Sequence, residues 1–101
     1  MAKVKEDRRS IDEVYSPIAP DEAATLLGWS SVSALNNYRS SKETPEEWRW
    51  VKGFVYTQVT PRGPVMFNRY ALMAWHIARS IDDPNIYHNA MSRYWDTIRS
   101  V

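Results

Sequence analysis

The segment YTQVTPRGPVMFNR, residues 56–69, contains two runs typical of β-strands, a turn between them and the start of a helix. Alternation of β-branched and aromatic residues from Phe54 predicts the first strand, and the run PVMF predicts the strand that returns. The residues PRG predict the turn, and Asn68 is a typical cap for the helix that follows. This pattern predicts a β-hairpin that carries Arg62 at its tip.

A pair of short helices is predicted upstream of the hairpin. In PDEAATLLGW, residues 20–29, Pro20 suits the first helical position and Gly28 is a typical C-terminal stop. In SSVSALNNYRSS, residues 30–41, a serine caps a second helix whose apolar residues share one face. Its opposite face is polar and positively charged. Two short helices joined by the residues GWS form a helix-turn-helix pattern.

Three further helices complete the predicted order. KETPEEWRWVKG, residues 42–53, predicts a third helix with Thr44 as its cap and Glu47 as the capping-box partner. After the hairpin, NRYALMAWHIARS predicts a long helix that IDDPN ends, and an aromatic amphipathic stripe predicts a last helix. The fold class expected from this order is mainly α with a small β-hairpin, a winged helix-turn-helix.

The chain is long enough for one domain with short additions at both ends. Residues 1–16 mix charges with few apolar positions and are expected to form an N-terminal arm, followed by an extended entry at SPIAP. Residues 17–81 are expected to form the winged helix-turn-helix domain. Residues 82–101 are expected to form a C-terminal amphipathic helix that packs on that domain or on a partner.

Composition argues against several classes of function. The chain lacks cysteine, and no apolar run approaches the ~20 residues of a membrane span. His76 and His88 are not spaced as zinc ligands, and the sequence shows neither a Gly-rich phosphate loop nor a catalytic triad pattern. We therefore expect a cytoplasmic protein that is not an enzyme, has no catalytic or metal-binding residues, needs no cofactor and binds no membrane.

Charge is distributed unevenly along a chain whose formal net charge is only +1. Acidic residues are concentrated near the N-terminus, and no Asp or Glu occurs between residues 48 and 81. The same region contains Arg49, Lys52, Arg62, Arg69 and Arg79. Such a locally cationic region indicates either a nucleic-acid face or an ordinary solvated surface.

Two stretches resemble known DNA-binding families, together covering roughly residues 18–79. PDEAATLLGWSSVSALNNY, residues 20–38, resembles the opening of excisionase and MerR-like winged-helix proteins, in which a Pro-acid-Ala-Ala-x-x-Leu-Gly helix precedes the recognition helix. WRWVKGFVYTQVTPRGPVMFNRYALMAWHIA, residues 48–78, resembles the second half of phage excisionases, where a Trp-x-x-x-Gly segment leads into a wing and an Asn-Arg helix. The chain departs from the pattern at Ala19, where those proteins often have Thr or Ser.

This resemblance implies a recombination directionality factor that binds repeated DNA sites cooperatively, bends the DNA and helps an integrase to excise a mobile element. The implied partners are double-stranded DNA, an integrase or recombinase, and neighbouring copies of the chain on DNA. A transcriptional regulator of the AlpA or MerR type is an alternative reading. Another is a protein-interaction module that uses the aromatic C-terminal helix.

The predicted DNA-binding residues are Ser31, Ser33, Asn36, Asn37, Arg39, Lys42, Gln58, Thr60, Arg62 and Arg69. On the second helix, Asn side chains pair bidentately with adenine and Arg with guanine, and serines near the helix N-terminus reach phosphates. At the hairpin, Arg62 reaches phosphate or a narrow minor groove, with Gln58 and Thr60 in support. Lys42 and Arg69 are further phosphate contacts.

Each of these residues also has a purely structural reading. The polar residues of the second helix would then form a solvated face, with Asn37 helping to end the helix. Ser31 would be a plain helix cap, Arg62 an exposed turn cation, and Arg69 would interact only with the surroundings of its own helix. The Trp residues, which follow helical spacing, are predicted to belong to the core.

Overall fold

The computed structural model describes residues 11–100, which are mainly helical with a small antiparallel sheet of three strands. The predicted mainly α class with a β-hairpin is confirmed. In chain order the elements are β1 (Pro17–Ile18), α1 (Pro20–Leu27), α2 (Val32–Ser40), a 3-10 turn (Glu46–Trp48), β2 (Tyr56–Thr57), β3 (Met66–Asn68), α3 (Arg69–Ser80) and α4 (Pro84–Arg99). Residues 11–14 are also helical.

The predicted helix boundaries are largely confirmed because local capping chemistry sets them. α1 begins at Pro20 without a side-chain cap and ends at Gly28, whose φ of 73° is left-handed. Ser31 caps α2 by accepting a hydrogen bond from the backbone of Ala34. Asp83 caps α4 in the same way, immediately before the proline that starts the helix.

The predicted third helix over residues 42–53 is wrong. Only a single 3-10 turn, Glu46–Trp48, forms there, and the cap position is taken by Pro45 without a side-chain hydrogen bond. The expected capping box between Thr44 and Glu47 is therefore not made.

Aromatic side chains from three helices explain why this segment is not helical. The hydroxyl of Tyr38 and the indole Nε1 of Trp75 both donate to the carbonyl oxygen of Trp48, at 2.7 and 3.1 Å. Tyr87 donates to the carbonyl of Arg49 at 2.7 Å, and Tyr94 to that of Gly53 at 2.6 Å. The hydrogen bonds to Trp48 and Arg49 satisfy carbonyls that a helix over residues 42–53 would pair internally.

Burial raises the pKa of Tyr38, Tyr87 and Tyr94 above the ordinary value of a tyrosine. Each phenol is therefore protonated at neutral pH and can act as a hydrogen-bond donor to a carbonyl.

The sheet has β3 in its centre. β2 pairs with β3 through Tyr56↔Phe67 and Thr57↔Met66, which confirms the hairpin but makes its strands shorter than predicted. β1 pairs with the other edge of β3 through Pro17↔Asn68 and Ile18↔Phe67. The sequence indicated only an extended entry at this point, so the third strand is new.

Asn68 ties the sheet to the neighbouring elements. It is 1% exposed, and its Oδ1 accepts hydrogen bonds from the backbone N–H groups of Ser16 and Tyr70, at 3.0 and 3.2 Å. Its Nδ2 donates to the carbonyl oxygen of Val14 at 2.9 Å. One amide thus caps α3 and also holds residues 14–16 against the domain.

The predicted arm therefore differs from the structure over residues 11–16. Val14 is fully buried in the core and residues 11–14 are helical, so this stretch belongs to the domain. The remainder of the predicted arm, residues 1–10, lies outside the described residues.

Seven of the sixteen buried core residues in the described part of the chain are aromatic. The predicted core position of the Trp residues is confirmed for Trp48, Trp50 and Trp75, whereas Trp29 and Trp95 are partly buried. Trp50 lies between Trp29, Tyr38, Trp75 and Phe67, with ring centroids 4.6–5.9 Å apart. A second group joins Phe54 to the tyrosines of α4, which packs along α3. The C-terminal helix thus packs on the domain, with Tyr87 and Tyr94 buried.

Candidate nucleic-acid interface

The exposed face of α2 is polar and lacks acidic residues. Leu35 is buried, and Ala34 and Tyr38 are partly buried, so the opposite side of the helix faces solvent. The exposed residues of α2 are Val32, Ser33, Asn36, Asn37 and Ser40. Their spacing at one, three and four residues gives a continuous stripe along the helix.

Arg39 links α2 to the hairpin. Its guanidinium lies 5.0 Å from the centre of the Tyr56 ring in β2, within the range of a cation–π contact. Its Nη2 also donates to Oδ1 of Asn36 at 3.3 Å. Arg39 is partly buried and its Nε is shielded from solvent. Its side chain therefore contacts other residues of the protein and is not fully available to DNA bases.

The hairpin loop, residues 58–65, is held by its own hydrogen bonds. The backbone N–H of Gly63 donates to the carbonyl of Thr60 at 3.0 Å, which closes a tight turn around Pro61 and Arg62. Nε2 of Gln58 donates to the carbonyls of Pro61 and Gly63, at 3.2 and 2.9 Å. Arg62 is therefore exposed on a turn braced from within.

A groove lies along the other flank of α2, on the side of Asn37. It has a volume of about 690 Å³ and is lined by Trp29, Ser30, Asn37, Ser41 and Thr44, among others. Hydroxyl, amide and aromatic groups are therefore available beside the helix. The exposed face of α2 thus lies between this groove and the hairpin.

The predicted site residues separate into those that are free and those with structural roles. Ser33, Asn37, Thr60 and Arg62 are exposed, and Asn36 is exposed with one hydrogen bond to Arg39. Ser31 caps α2, and Gln58 uses its amide inside the hairpin loop. For these two residues the geometry favours the structural reading.

Lys42 and Arg69 lie in mixed-charge surroundings. Lys42 is exposed beside Glu43, just after α2. Arg69 lines one groove with Asp12 and Glu13 and another with Asp21 and Glu22, next to β1. Because β1 and β2 lie at opposite edges of the sheet, Arg69 lies on the side of the sheet away from β2.

Most other arginines of the basic region are engaged within the protein. Arg49 donates to the carbonyls of Thr44 and Lys42, and Arg79 lies 5.0 Å from the centre of the Trp48 ring. Within residues 11–100, Arg62 and Lys52 have no side-chain hydrogen bond or ion pair. These two cations are therefore available to an external anion.

Two surface residues near the hairpin were not selected from the sequence. Lys52 pairs with Tyr56 in an isolated parallel bridge, which brings it beside β2. The wrongly predicted third helix concealed this position, because it put Lys52 in a last helical turn. Val59 in the hairpin loop is 97% exposed, and no spacing pattern in the sequence indicates that exposure.

Residues 11–100 contain no cluster of three or more His, Asp or Glu side chains suited to a metal ion. None of the helices in that range has the length and apolar character needed to cross a bilayer.

Comparison with protein-family models, with curated proteins and with solved structures found no match to this chain.

Proposed function

We propose that this protein is a winged helix-turn-helix protein that binds double-stranded DNA. The observation that carries the proposal is the contact of Arg39 with Tyr56, because it joins α2 to the hairpin. Because this contact connects the two elements, the exposed stripe of α2 and the exposed tip at Arg62 can meet one duplex together in the proposed complex. β1 supports the same unit, since it pairs with the hairpin immediately before α1.

In the proposed complex, α2 lies in the major groove, which is wide enough to admit a helix. Asn36 and Asn37 then face base edges, while Ser33 faces the phosphate backbone. The hairpin loop reaches the neighbouring backbone or minor groove through Arg62, with Lys52 as a second cation close to the duplex.

The biological role that fits this proposal is that of an excisionase-like architectural factor acting with an integrase on a mobile element. It rests on the resemblance of residues 20–38 and 48–78 to excisionases. An excision assay with the cognate integrase tests it. If the protein altered transcription but not excision, the regulator of the AlpA or MerR type would replace it.

A protein-interaction module is the second candidate function. A specific observation favours it: Ile77 and Ile81 are 45% and 60% exposed. Ile77 also lines the groove between α3 and α4 that is bordered by Asp12, Glu13 and Arg69. A gel-shift titration with random DNA separates the two candidates. Absence of binding at ~50 mM salt would favour the interaction module, because non-specific DNA contacts are strongest at low salt.

We predict that Arg62→Ala weakens binding to all DNA sequences and reduces the slope of log affinity against log salt by about one unit. The reason is that one phosphate-neutralising cation is lost. Arg93→Ala is the matched control, since it removes the same charge from α4, where Arg93 forms an exposed ion pair with Glu13. Fluorescence anisotropy over a series of salt concentrations gives both slopes. Unchanged affinity of Arg62→Ala at low salt would contradict the role of the hairpin.

We also predict that Tyr56→Leu weakens binding to the best duplex selected from a random pool, whereas Tyr56→Phe does not. Leucine removes the ring under the Arg39 guanidinium, so α2 and the hairpin are no longer held relative to each other in the free protein. Fixing them on binding then costs free energy. Phenylalanine keeps the ring. The expected loss is about 0.5–2 kcal/mol, the strength of a cation–π contact. Equal affinities for the two variants would show that the contact does not organise the interface.

A further inference from the structure

The tip of the hairpin loop is apolar as well as basic. Val59 is 97% exposed, compared with 37–60% for the other exposed large hydrophobic residues of the described chain. Pro61, two residues further on, is exposed too. Val59 and Pro61 together form the apolar tip of the loop. Arg62 follows Pro61 directly in the chain. Isolated exposed apolar residues are common, so the surroundings of the tip must decide whether it has a role.

The apolar tip stands on a loop that is stiff for its length. The Gln58 amide makes two hydrogen bonds across the loop, and the bond from Gly63 to Thr60 closes the turn. The close approach of Gly63 to Thr60 leaves no room for a Cβ at residue 63 without displacing the Thr60 hydroxyl. A braced loop loses little conformational entropy when its tip is inserted into a binding site.

Charge around the apolar tip selects the kind of surface it fits. Arg62 is part of the same turn, and no acidic residue occurs between residues 48 and 81. The minor groove of duplex DNA offers strong negative potential together with apolar sugar edges and stacked bases. Proteins that bind there combine cations with apolar side chains that wedge between base steps and bend the duplex.

We propose that Val59, supported by Pro61, enters the minor groove as an apolar wedge while Arg62 contacts the adjacent phosphates or groove floor. The proposal rests on the DNA-binding function above and adds a site and a consequence to it. Val59 partly unstacks one base step, and the duplex bends away from the hairpin loop. In this arrangement Arg62 contributes the salt-dependent part of the affinity, and Val59 causes the bend in the duplex.

The test compares wild type with Val59→Thr, which keeps the shape of the side chain and replaces a methyl group by a hydroxyl. Duplexes of about 30 base pairs carrying end-labels for energy transfer report the bend, and 2-aminopurine at successive steps reports unstacking. Wild type is expected to bend the duplex by an angle within the range of about 20–90° seen for side-chain wedges. Val59→Thr is expected to bend it by less than about half that angle and to lose the 2-aminopurine signal.

Two controls connect the result to Val59. The salt slope of Val59→Thr is expected to equal that of wild type, whereas Arg62→Ala changes the slope. The melting temperature of Val59→Thr is expected to match wild type, because residue 59 makes almost no contact with the folded protein.

The failure of this proposal is distinguishable from failure of the proposed function. If wild type does not bind DNA, the proposed function itself fails. If wild type binds without bending or unstacking, or if Val59→Thr bends DNA as wild type does, the wedge is wrong and DNA binding stands. If Val59→Thr instead abolishes self-association with bending unchanged, the apolar tip contacts protein, and the wedge is equally overturned.

Discussion

Replacing Asn68 with alanine is expected to lower the free energy of unfolding by about 2–4 kcal/mol. The substitution removes the cap of α3 and leaves the carbonyl of Val14 and the N–H of Ser16 without their partner near the core. Both losses are costly because water has little access to the buried amide. Urea denaturation followed by tryptophan fluorescence measures the change.

Two further variants separate the two roles of Asn68. Asn68→Ser keeps an oxygen that can cap α3 but cannot reach the carbonyl of Val14, so we expect a loss smaller than for alanine. Asn89→Ala makes the same chemical change on the exposed surface of α4 and should change stability by less than about 0.5 kcal/mol. Equal stability of Asn68→Ala and Asn89→Ala would contradict the assigned role.

The second large effect is expected at Asn36. Asn36→Ala should reduce the preference for one base at one position of the bound sequence by about 1–3 kcal/mol, because a bidentate contact to adenine is lost. Arg39 donates to Oδ1 of Asn36 and so orients the amide before DNA is bound. Non-specific binding and its salt slope should remain close to wild type, since no charge changes.

Selection from a random duplex pool, followed by competition at one salt concentration, measures this base preference. Asn37→Ala identifies which of the two amides reads the base, and Asn89→Ala serves as the control on α4. If Asn36→Ala and Asn37→Ala both selected the same sequences as wild type, α2 would not be the reading helix. The exposed polar stripe would then be an ordinary solvated face.

Elements governed by local chemistry were predicted well from the sequence. Pro20 and Gly28 bound α1, Ser31 caps α2, and Asp83 starts α4. Capping and turn formation involve residues within a few positions of each other, so the sequence alone indicates them. The hairpin was predicted for the same reason, although its strands pair only through Tyr56↔Phe67 and Thr57↔Met66.

The sequence predicted the exposure of several candidate residues better than it predicted their contacts. The exposure of Asn36, Asn37 and Arg62 agrees with the expected polar face and tip. The engagement of Arg39 with Tyr56 and of Gln58 with its own loop did not follow from residue type. A side chain suited to DNA is equally suited to a protein carbonyl or ring, and only the folded neighbours determine which it contacts.

The linear order of caps, glycines, prolines and apolar spacings was sufficient to predict α1 to α4, the hairpin and the mainly α class, because those features depend on short-range sterics and hydrogen bonding. Contacts distant in sequence settled the remainder: tyrosines and a tryptophan from other helices hold residues 48–53 out of a helix, and Asn68 brings residues 14–16 onto the sheet. Both depend on donors that meet buried carbonyls only after the chain has folded, so no local pattern encodes them.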